Sequence, residues 1–118
     1  MNDLEVGLDD VRRQHSVLAK LSLNDMAKLK QALSNSGATW AQAAQRVNIA
    51  VTAILTQTKL VYWEKTKITQ HEGVSLFQFA VDFDVNVVMR AESAMIDALA
   101  NETFNPADTA IYFSCGTN

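Results

Sequence analysis

The sequence predicts an α+β domain. Three observations predict it. Residues 74–89 (VSLFQFAVDFDVNVVM) alternate apolar and polar positions with the period of a strand. The first half repeats apolar residues at intervals of three and four, the spacing of helices. An Ala-rich helical run near residues 90–102 is followed by TAIYFSC, rich in the residues that favour strands. At 118 residues, with 48% hydrophobic positions and one proline, the chain is expected to fold as a single domain spanning 1–118 rather than remain disordered.

Taken in order, Leu4, Leu8, Val11, His15 and Leu18 put an apolar face on a helix over about 3–20, with His15 in its seam. A lone imidazole without a ligand or acid at useful spacing reads as packing. Ser22, followed by Asp25, caps a second helix over 23–34 with Leu23, Met26, Leu29 and Leu33 on one face, and Ser34, Asn35, Ser36 and Gly37 stop it. Thr39 and Gln42 form a capping box for a third helix over 39–57.

From Lys59 the composition shifts to β-branched and aromatic residues. Residues 59–70 and 74–88 read as a long hairpin turned at His71, Glu72 and Gly73, with Lys65 and Lys67 facing Asp82 and Asp84 across it. On the second strand Phe77, Phe79, Val81, Phe83 and Val85 share the apolar face, the candidate interface with other subunits. A helix over 90–102 and a short C-terminal strand close the domain. The competing architecture is all-α, because Ser75, Gln78, Asp82, Asn86, Arg90, Ser93, Asp97 and Asn101 also trace a polar stripe along one helix over 75–101. The density of Phe and Val over 77–87 favours the strand.

Composition narrows the function. Only 19% of residues are charged, below the roughly 25% of ordinary soluble domains, so the surface is expected either to use Gln, Asn, Thr, Ser and Ala more than usual or to be partly hidden in an assembly. A net charge of −3 gives no global attraction to nucleic acid or anionic lipid. Cys115 is the single cysteine, which excludes an internal disulfide and a cysteine-based metal site. Asp82, Asp84 and Asn86 resemble the start of a calcium loop, but Val87 stands where the glycine is needed and Ser93 where the glutamate is. No nucleophile elbow, phosphate loop or dinucleotide fingerprint is present. The reading is therefore no enzyme, no cofactor and no metal. The acidic start and the lack of a run of about 18 apolar residues point to a protein kept in the cytoplasm, with no membrane partner.

Two stretches resemble known families. WAQAAQRVNIAVTAILTQ, residues 40–57, looks like a helix-turn-helix, with small Ala44, apolar Val47, a turn at Asn48, and apolar Ile49 and Ile54. That resemblance implies a DNA-binding or regulatory protein reading bases with Thr52, Thr56 and Gln57 and holding phosphates with Arg46 and Lys59. Residues 74–101, a Phe/Val/Asp-rich strand running into RAESAMIDALAN, are similar to the strand-then-helix segment of tail-completion or terminator proteins of tailed phages. This second resemblance implies a virion component of the tail terminator, neck or connector type, found in the host cytoplasm and then the virion. The leading expectation is a non-enzymatic assembly subunit forming homo-oligomers and contacts with other protein subunits, with nucleic acid not favoured as a partner. The alternatives are the helix-turn-helix reading and a small inhibitor or adaptor that binds a host protein.

Overall fold

The computed structural model describes residues 3–118. Helices α1 (Leu8–Gln14), α2 (Leu23–Ser36) and α3 (Trp40–Ile54) precede a hairpin of β1 (Lys67–His71) and β2 (Val74–Asp82), then α4 (Val85–Ala100) and β3 (Ile111–Thr117). The fold class is α+β, as the patterning predicts. The sheet runs in the order β1-β2-β3, with β1 antiparallel and β3 parallel to β2. A parallel neighbour needs a long crossover, and α4 supplies it.

The cores of α2 and α3 obey their caps. Ser22 accepts from the Asp25 amide, and the Thr39–Gln42 box is complete in both directions. Gly37 ends α2 at φ 72°, in the left-handed region that favours glycine. Met26, Leu29 and Leu33 are fully buried, whereas Leu23, in the first turn, points outward and is 48% exposed. The Lys28 carbonyl accepts from the buried Ser75 hydroxyl, and Lys28 Nζ donates to the Ile68 carbonyl at 3.1 Å, docking α2 on the hairpin.

The N-terminal helix expected over 3–20 is divided. Its parts are a 3₁₀ turn at Asp3–Glu5, α1, and a second 3₁₀ turn at Ser16–Lys20. Gly7 precedes α1, and His15, at φ −128° and ψ 89°, ends it. The break leaves Leu4, Val11, Leu18 and Leu21 all buried, so packing decides the path over helical continuity.

The hairpin is shorter than expected. Residues 59–66 do not form a strand; the Tyr62 amide donates to the Ala80 carbonyl at 2.8 Å, and Thr66 Oγ1 accepts from the Ala80 amide while donating to Tyr62. The end of β2 is thus satisfied by a looped segment, including a 3₁₀ turn at Trp63–Lys65, rather than by a ladder. Register places Lys67 opposite Gln78, and Lys65 lies in the 3₁₀ turn, so the expected pairing with Asp82 and Asp84 does not form. Glu72 and Gly73 both take positive φ, 51° and 82°, as a tight two-residue hairpin turn requires.

The strand expected to run to residue 88 stops at Asp82. Asp82 Oδ1 accepts from the Asp84 amide and Asp84 Oδ1 from the Asn86 amide, each at 2.8 Å, so the two carboxylates turn the chain and cap α4. The helix begins at Val85, five residues earlier than its predicted start near 90. On β2, Ser75, Phe77, Phe79 and Val81 face the helices; Ile68 of β1 and Ile111 of β3 pair into the same buried layer. Phe77, Phe79 and Phe113 lie with ring centroids 5.4 to 5.9 Å apart, and Trp63 meets Phe79 edge-on. The opposite sheet face carries Lys67, Thr69, Leu76, Gln78 and Tyr112, all of them exposed among the described residues.

Candidate interaction surface

Helix α4 turns one side toward α3 and the sheet and leaves the other in solvent. Val88, Ala91 and Met95 fill the inner side. At about 100° per residue, Val85, Met89, Ile96 and Ala100 fall within about 60° of one another on the outer side. Val85, Met89 and Ile96 are 59%, 64% and 53% exposed. Phe83 just before the helix and Phe104 just after it are 75% and 71% exposed. Large apolar side chains scattered singly are ordinary, whereas a ridge along a whole helix is a candidate interaction surface.

Charge is kept off this ridge. Glu92, near its middle, is half-buried and turned onto β3, where its Oε2 accepts from the Cys115 amide at 2.8 Å. Burial, and secondarily the Glu92 carboxylate, push the Cys115 thiol up from its ordinary 9.0 to about 12. The thiol is a packed group and not a thiolate nucleophile. Arg90 and Asp97 sit together on one flank of the ridge, both exposed.

The sequence-predicted interface divides here. Phe77, Phe79 and Val81 are at most 1% exposed and belong to the domain's own core. Phe83 and Val85 do reach the surface, though at the start of α4 rather than on a strand face. Met89, Ile96 and Phe104 were hidden from the strand reading; their signal is the helical spacing of 85, 89 and 96, which overlaps the alternation of 83, 85 and 87.

The residues of the helix-turn-helix resemblance are also dispersed. Asn48 lies inside the unbroken α3, so no turn separates a recognition helix. Arg46 is mostly buried, its Nε 2.7 Å from Asp108 Oδ1 but without the alignment of a hydrogen bond, so charge holds that pair. Thr56 Oγ1 donates to the Ala53 carbonyl, Gln57 Nε2 donates to Thr56, and Lys59 lies in the loop that follows. Thr52 and Ile49 of α3 face Ala94 and Ala98 of α4 across a shallow groove of about 480 Å³.

Among the described residues no three acidic, histidine or cysteine side chains converge as metal ligands, and no helix is long and apolar enough to cross a membrane. Asp82 and Asp84, which resemble the start of a calcium loop in sequence, spend one carboxylate oxygen each on backbone amides. Comparison with family models, curated proteins and solved structures finds no match, so the surface is read from its own chemistry.

Proposed function

We propose that this chain is a non-enzymatic assembly subunit that joins copies of itself through the outer side of α4. The observation that carries the reading is the apolar ridge of Val85, Met89 and Ile96, bracketed by Phe83 and Phe104, on a folded domain whose core is already complete without it. Burying such side chains is worth about 25 cal/mol per Å² of apolar surface, and no other part of the described residues covers them. The resemblance of residues 74–101 to tail-completion subunits of tailed phages names one such assembly, in which copies close a ring.

Light scattering on the eluting protein tests this. At micromolar concentration the mass should exceed the 13.0 kDa of one chain. The double variant Met89→Glu/Ile96→Glu should return it to a monomer with an unchanged helical spectrum, since both side chains are exposed. A wild-type monomer under the same conditions overturns the proposal.

A further inference from the structure

Building on this assembly reading, we infer that the occupant of the α4 ridge is a second copy of the same helix, laid antiparallel across a two-fold axis that passes between Glu92 and Ser93. The placement of the ridge residues is self-complementary. Val85 and Ala100 are symmetric about the midpoint between positions 92 and 93, and so are Met89 and Ile96. An antiparallel copy centred there sets Val85 against the partner's Ala100 and Met89 against its Ile96, large beside small and long beside branched. A C2 contact requires this reciprocity, residue i meeting j while j meets i.

The flanking charges agree with that orientation and find no pairing in the parallel one. Arg90 and Asp97 lie about 140° and 120° around the helix from Val85, on one flank. A two-fold axis perpendicular to the helix pair brings like flanks together and reverses their direction. Arg90 then comes within about 3 Å, along the axis, of the level of the partner's Asp97, and this happens twice. A parallel pair, whose two-fold axis runs along the helices, puts the two like flanks on opposite sides, so Arg90 and Asp97 of one copy do not meet those of the other and the pairing is lost. Neither side chain has a partner within the described residues, so both are free for it. The carboxylate nearest the axis, Glu92, is held on the Cys115 amide and does not meet its own copy. Opposed helix dipoles favour the same arrangement.

The geometry makes a covalent prediction. With helix axes 8–10 Å apart and Ser93 beside the two-fold axis, the two Ser93 Cα atoms stand about 6 Å apart, within the range a disulfide spans. Ser93→Cys should therefore form an intersubunit disulfide under mild oxidation, while the wild type, whose thiol is buried, should not. Arg90→Asp or Asp97→Arg alone should weaken the dimer about tenfold, and Arg90→Asp/Asp97→Arg together should restore it.

The inference needs both the disulfide and the charge-swap rescue. An oligomer that Met89→Glu/Ile96→Glu dissolves, but that neither cross-links at residue 93 nor recovers in the charge swap, overturns the two-fold pairing and leaves the assembly reading standing, as a heterologous ring would. A wild-type protein that stays monomeric overturns both.

Discussion

The Cys115 amide donates to Glu92 Oε2 at 2.8 Å, tying the outer edge of β3 to the middle of α4. An edge strand otherwise presents a row of unpaired backbone groups, and this contact removes one of them. Glu92→Ala leaves that amide without its acceptor and should cost about 1–3 kcal/mol in urea unfolding. Glu92→Gln keeps a neutral acceptor, so its loss should be the smaller. Equal stability of Ala, Gln and wild type would mean the contact carries no energy.

Burial of Cys115, with the Glu92 carboxylate as the lesser cause, sets a dependence on pH. Cys115 titrates at about 12 when folded against an ordinary 9.0, so the native state holds its proton where the unfolded state has released it. The stability contributed by this group is therefore whole below pH 9 and declines as pH rises from 9 toward 12. Thiol labelling at pH 8–10 should be slow in the native protein and fast in denaturant. Cys115→Ala should flatten this part of the decline in the denaturation midpoint.

Arg46 and Asp108 join α3 to the turn before β3, with side chains 11% and 19% exposed. Asp108 Oδ2 also accepts from the Asn105 amide, completing the capping box of that turn. Arg46→Met removes one member and leaves a largely buried carboxylate, which should cost about 3 kcal/mol. Arg46→Met/Asp108→Asn should recover more than half of that loss, because the stranded charge is gone while a cap acceptor remains. A double variant as unstable as the single one would assign the cost to packing of the arginine stem instead.

Several local signals, where a backbone group needs a particular side chain, were legible. The caps at Ser22 and Thr39, the stop at Gly37 and the turn at Glu72–Gly73 all follow from short-range chemistry and occur where the sequence places them. Long-range choices were not. Tyr62 and Thr66 bond to Ala80, which residue-by-residue propensity does not contain, and so 59–66 loops where a strand is predicted. Asp82 and Asp84 read as the polar face of a strand because alternation and capping place polar residues at the same two positions. That coincidence concealed the start of α4 and with it the exposed ridge. Val85, Val87 and Val88 favour strands by propensity, yet burial of Val88 and the Asp84 cap hold them in a helix.

Phe79 and Phe83 decide between the two readings of this stretch. The alternation puts both on one buried face, so either substitution should be disruptive. The structure separates them: Phe79 is fully buried among Phe77, Phe113 and Trp63, while Phe83 is 75% exposed beyond the last residue of β2. Phe79→Ala should cost about 3–5 kcal/mol, the usual loss for a buried aromatic, and the variant should unfold at markedly lower denaturant. Phe83→Ser should change unfolding by no more than about 0.5 kcal/mol, because it removes little from the core. Under the proposed assembly its effect belongs to association, and light scattering should then show a weaker oligomer than wild type at equal concentration. A Phe83→Ser protein that unfolds as readily as Phe79→Ala would return residue 83 to the core and end β2 later than Asp82.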